Sequence, residues 1–131
     1  MRSIPSEKWD EAYAPGKWSL KESWIHLLDS ERVFAYRAMR ISRGDKTALP
    51  GFNQDDYVPH YDAKNRSIES VIEEYNAVRE ASISLFKSLN GDGFAQIGTA
   101  SDNPMSPLAA AFIIAGHEQH HLNLIAERYL G

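Results

Sequence analysis

The stretch "SLKESWIHLLDSERVFAYRAMRISRGD", residues 19–45, decides the fold class. Ser19 and Glu22 spell an S-x-x-E capping box, and Gly44 stands just past the last periodic residue as a helix stop. Between them Leu20, Trp24, Leu27, Leu28, Ala35 and Ala38 recur at helical spacing on one stripe. Ile25, Val33, Phe34 and Ile41 spread beyond that stripe. A helix apolar over most of its circumference has neighbours on several sides, as in a bundle.

Two further segments carry the same period. From about Ser67 to Leu89, Ile68, Val71, Ile72, Tyr75, Val78, Ser82, Leu85, Phe86 and Leu89 follow i, i+3, i+4, i+7, and Asn90-Gly91 is expected to end the helix. The third opens at Ser106-Pro107, an N-cap followed by proline at the first helical position. It carries Leu108, Ala111, Phe112, Ala115, Leu122, Ile125 and Tyr129 on one stripe. No segment alternates with period two for long, and no dipeptide hairpin signal separates two apolar runs. The expectation is an all-α, up-down helical bundle with long helices at about 19–43, 67–89 and 106–129. Two long connections, residues 44–66 and 90–105, join them, and connections of that size tend to carry function.

Bulk properties bound the rest. With 131 residues, 43% hydrophobic and 24% charged, one globular domain spanning 1–131 is expected. A net charge of −4 gives no basic footprint for nucleic acid. No run approaches the length of a membrane span, and "MRSIPSEKWDEAY" has no apolar signal core, so a soluble cytoplasmic chain is the expectation. The chain has no cysteine, so any metal must be held by His, Asp or Glu.

The chemistry gathers in "AGHEQHHLNLIAERYL", residues 115–130. His117, Glu118 and His121 spell H-E-x-x-H, and the two histidines, four apart, share one helical face. The zinc-peptidase reading lacks its context. Leu124 and Glu127 stand where the extended motif wants Gly and His, and no sheet edge is predicted to hold a peptide. A third ligand is available upstream in His26, flanked by Trp24, Ile25, Leu27 and Leu28. Alone, His26 reads as a core histidine; with an i, i+4 pair on another helix it reads as part of a shared site. Ala110, Ile114, His117, His121 and Leu124 form one column, and unpaired imidazoles in an apolar column are costly unless a metal takes them. His120 is expected to face out or cap the site, and His60 lies in the acidic loop. Glu22 and Ser30, one turn either side of His26, are candidates to orient its ring. Glu31, on the apolar stripe, is expected to pair with Arg79, and Glu118 to face solvent.

These residues resemble the DinB-like superfamily of metal-binding helical bundles. The W-S-x-x-E-x-x-x-H block (Trp18, Ser19, Glu22, His26), the "LPGFNQDDYV" loop and the H-x-x-x-H block (His117, His121) carry the resemblance, which runs from about Trp9 to Leu130. It implies a four-helix bundle with an open divalent-metal site at His26, His117 and His121, loaded with Zn or Ni, or with Fe or Mn. It also implies transfer of a low-molecular-weight thiol, such as bacillithiol, mycothiol or glutathione, to a small-molecule substrate. A non-catalytic metal-binding or dimerisation module and a metal-dependent hydrolase are the alternatives. The long first helix usual in that superfamily is absent before "PSEKW", which raises the expectation of a homodimer whose partner covers the gap.

Overall fold

The computed structural model describes residues 1–131, and three long helices dominate it. Helix α1 spans Leu20–Ser42, α3 spans Ile68–Lys87 and α5 spans Pro107–Arg128, with the short helices α2 (Gln54–Tyr57) and α4 (Gly91–Ala95) inside the two connections. Both halves of the capping box form at α1: Ser19 N–H donates to Glu22 Oε2 at 2.7 Å, and Glu22 N–H to Ser19 Oγ at 3.2 Å. Ser67 and Ser106 cap α3 and α5 with the side chain alone, accepting from Ser70 N–H and Ala109 N–H. Asn90 does not simply end a helix. Its side chain caps α4, accepting from Gly93 N–H at 2.8 Å.

Helix α1 is the hub. It packs against both α3 and α5, whose backbones scarcely approach each other. Its buried face joins Leu20, Trp24 and Leu28 to Val71 and Val78 of α3, Ile125 of α5 and Trp9 of the N-terminal stretch. The Tyr129 hydroxyl donates to Trp18 O at 2.7 Å, tying the end of the chain to the start of α1.

The helical architecture is as expected, with one small sheet added in the connections. Strand β1 (Ala48–Leu49) runs parallel to β2 (Gly98–Ala100), which pairs antiparallel with β3 (Asn103–Met105). Strands of two or three residues are too short for alternation to register. The hairpin turn is Ser101-Asp102, with φ of 49° and 64°, a primed-turn geometry that ordinarily selects Asn or Gly. Ile41, Leu49 and Ala100 form a second core where sheet meets α1. A Cβ on Gly98 would lie 2.6 Å from Ile41 Cγ1, so only glycine lets β2 seat there.

The apolar stripe expected on α5 is only partly covered. Ile125 is buried, but Leu108, Phe112 and Leu122 are exposed, Phe112 to 71%. The face turned to α1 is the histidine column, running through Ala110, Ile114, His117, His121 and Ile125. No helix is long and apolar enough to cross a membrane.

One ion network crosses the space between α3 and α5. Arg79 forks onto Glu31 of α1 at 2.9 and 3.0 Å and reaches Glu118 of α5 at 2.5 Å. The Tyr75 hydroxyl also donates to Glu118, at 2.5 Å, and burial beside that carboxylate pushes its pKa up to about 12. The Glu31–Arg79 pair is the one expected from sequence; Glu118 faces inward where solvent was expected. Because Glu31 is nearly sealed, Arg79→Ala leaves a buried carboxylate unpaired. We expect it to lower unfolding free energy by about 3 kcal/mol in chemical denaturation, with Glu31→Met in the same chain recovering much of the loss.

Candidate metal centre

Three histidines from two helices converge at the α1–α5 contact. Side-chain nitrogens of His26, His117 and His121 all lie within 4.8 Å of one another. His26 Nε2 and His117 Nε2 are 3.2 Å apart, and the ring centroids are separated by 5.0 Å (His26–His117), 5.2 Å (His26–His121) and 4.7 Å (His117–His121). The i, i+4 spacing stacks His117 and His121 on one side of α5, and the close α1–α5 packing brings His26 up to them. The three histidines singled out in the sequence are thus brought together, although His26 lies 91 residues from His117 in the chain.

The donor geometry fits a divalent cation. Two Zn–N bonds of about 2.0–2.1 Å bridge a 3.2 Å gap at an angle of roughly 100°, near tetrahedral. Nitrogen donors without carboxylates suit zinc, nickel or ferrous iron better than the oxygen-seeking calcium or magnesium. The three rings are also in the right protonation state. Burial pushes the pKa of His26 down to about 4, with His117 adding to the effect. Burial and the neighbouring histidines take His121 to about 4, and burial lowers His117 as well. All three are therefore neutral at pH 7, the form that ligates.

Around the rings, Ser30 Oγ lies 3.5 Å from His26 Nδ1, at the outer limit of a hydrogen bond and on the side away from the cluster. Trp18 packs against the His26 ring at 4.9 Å between centroids. Glu22, expected beside His26, spends its carboxylate on the helix cap instead. Glu118 is held by Arg79 and Tyr75, which removes the general base a zinc peptidase needs from this motif. His120 is exposed beside His121, with ring centroids 5.6 Å apart, and His60 is exposed outside the cluster.

Two clefts reach the cluster. One, of about 270 Å³, opens at His121 between Tyr13, Trp18, Asp55 and Tyr129. The other, of about 540 Å³, opens at His26, His117 and His120 and is walled by Phe34, Arg37, Phe52, Gln54, Ser101 and Ile113. The connection 44–66 supplies Phe52 and Gln54 to this wall, as its length suggested; Arg37 and Ser101 were not foreseen. The only sequence signal for Arg37 is its spacing from His26 on the same helical face.

The sequence profile of the DinB superfamily matches residues 1–125. A relative from Oceanobacillus iheyensis, whose name assigns it provisionally to the metal-dependent hydrolases, is 24% identical over 124 residues. That match spans 93% of this chain and 70% of the relative. Among solved structures the fold is similar to YfiT from Bacillus subtilis, described as a probable metal-dependent hydrolase with an unusual four-helix bundle topology. The TM-score is 0.74 over 97% of this chain and 75% of that one, at 13% identity.

The expected outcome of elemental analysis is about one divalent ion per chain after metal loading and desalting. His26→Ala and His121→Ala should each remove most of it while Glu118→Gln does not. Full retention in either histidine variant contradicts the assignment.

Proposed function

The chain belongs to the DinB superfamily, and from that premise we propose that it transfers a low-molecular-weight thiol to an electrophilic small molecule, with a divalent cation held by His26, His117 and His121. The observation that carries this reading is the three-imidazole cluster reached by two clefts, the larger of which exposes His26 and His117 and has room for small-molecule reactants. When bound, a divalent cation supplies Lewis acidity, the means by which a thiol or water becomes a nucleophile near neutral pH. With no cysteine in the chain, the sulfur has to arrive on a cosubstrate.

The chain's own residues then divide the work. The buried faces of α1 and α5 hold the ligand rings neutral, and Trp18 keeps bulk water from one face of His26. The exposed His120 ring at the cleft edge is placed to take the proton that the thiol releases. Sulfur forms a bond to the electrophilic carbon as the leaving group departs with its electron pair.

Hydrolysis is a second reading, favoured by the descriptions of the Oceanobacillus relative and of YfiT. The two separate in one assay, which follows loss of free thiol from glutathione, bacillithiol or mycothiol against an alkyl halide, beside thiol-free cleavage of an activated ester. Thiol transfer is expected to fall roughly a hundredfold on chelation or with His121→Ala. Metal-dependent ester cleavage without thiol consumption would decide for hydrolysis, and rates indifferent to chelator would contradict both.

A homodimer is part of the same proposal. Leu108 and Phe112 of α5 and Ile83 of α3 are exposed on either side of the gap that these helices leave over α1. Small residues Ala111 and Ala115 between them permit close approach by the same face of a second copy. Light scattering is expected to give twice the chain mass at micromolar concentration and the single mass for Phe112→Asp. A wild-type monomer under those conditions excludes the dimer.

A further inference from the structure

Arg37 is a buried cation without an anion. Its side chain is 4% exposed, yet no carboxylate ion-pairs with it. The chain's other sealed cation does not share this condition, since Lys21, also 4% exposed, holds Asp10 at 2.9 Å. An arginine cannot shed its charge to escape the cost of burial. Its Nη2 donates to Pro50 O at 2.9 Å and to Ser101 Oγ at 3.1 Å, both neutral acceptors, and its guanidinium lies 5.3 Å from the Phe34 ring centre.

The remaining donors are unused. Nε and Nη1 find no acceptor within the protein. They are not sealed in the core either, because the sealed side-chain polar atoms without partners are Trp9 Nε1, Trp24 Nε1 and Tyr61 Oη. Arg37 lines the larger cleft, whose wall it shares with His26, His117 and His120. None of the residues lining that cleft is acidic, in a chain with 18 Asp and Glu.

The mount is built rather than incidental. Ser101 is held at φ 49°, a left-handed conformation that non-glycine residues adopt at some cost, and there it meets the guanidinium. A Cβ on Gly51 would lie 2.9 Å from Ser101 Oγ and would turn that hydroxyl from its place beside the guanidinium. Arg37 also stands three helical turns from His26, a rise of about 16 Å, on the same face of the helix.

We infer that this cleft takes a substrate carrying an oxyanion, a carboxylate or a phosphate, whose charge pairs with Arg37 while its reactive part lies at His26 and His117. Gln54, in the same wall, offers its amide to the anion. The placement of the reactive part rests on the function proposed above, but the anion site itself needs no metal, so the two can fail separately.

The test uses metal-free wild-type protein, made with chelator, at constant ionic strength set by chloride. Acetate, succinate and inorganic phosphate are titrated while the arginine Nε–H resonances are followed by NMR. Saturable movement of the Arg37 resonance by at least one of these probes, with the Gln54 amide moving alongside, is expected. A carboxylate preference or a phosphate preference then identifies the oxyanion. Arg37→Lys, which keeps the charge and loses the fork, should weaken the response of the Gln54 amide about tenfold. Should that variant unfold, the wild-type titration still decides. No saturable shift of Arg37 up to 100-fold excess of each probe over chloride-only controls overturns the inference, as does undiminished binding in a folded Arg37→Lys. Full retention of metal in His26→Ala, with anion binding intact, would sink the metal reading alone.

Discussion

Three neutral imidazoles meeting at the α1–α5 contact are the constraint on which the rest of the structure depends. Nitrogens as close as 3.2 Å, in a wall of tryptophan and aliphatic side chains, are poorly served by one another. At most one hydrogen bond can form between two such nitrogens, and the third ring is left over. A divalent cation satisfies all three at once. Burial holds the rings uncharged and so prepares them for it. The site therefore follows from packing: α1 is apolar on nearly every side, α5 must lie against it, and the buried column of α5 carries His117 and His121.

Charge is arranged around that point in two opposed ways. On the α3 side, Arg79 is consumed by Glu31 and Glu118, and the result is a strut between three helices. In the larger cleft no carboxylate appears, and the Arg37 guanidinium keeps donors to spare. Two arginines near one cluster thus serve different ends, and the difference lies in their partners rather than their position in the sequence. A cation among the histidines would add to the positive charge that Arg37 brings to the larger cleft.

The fold was legible where the physics is local. The capping box at Ser19 and Glu22, the serine caps at 67 and 106, and the 3.6-residue period gave the three long helices to within a residue or two. The convergence of His26, His117 and His121 was legible because histidines interrupting an apolar column demand an explanation. What escaped was tertiary. The sheet hangs on strands of two or three residues and on a Ser101-Asp102 turn whose conformation its composition does not advertise. Glu118 looked solvent-facing because its partner Arg79 sits on another helix 39 residues away. Phe112 and Leu108 read as core by period, but only the structure reveals that nothing in the chain covers them. Glu22 shows the converse error, a residue rightly placed near His26 whose carboxylate was already engaged by the cap.

Crystals grown with zinc or nickel, with data collected on either side of the metal's absorption edge, test the central claim most directly. The expected result is one anomalous peak about 2.0–2.2 Å from a ring nitrogen of each of His26, His117 and His121. A peak elsewhere, or a cluster that stays free of metal while His26 and His117 hydrogen-bond to each other, would contradict it.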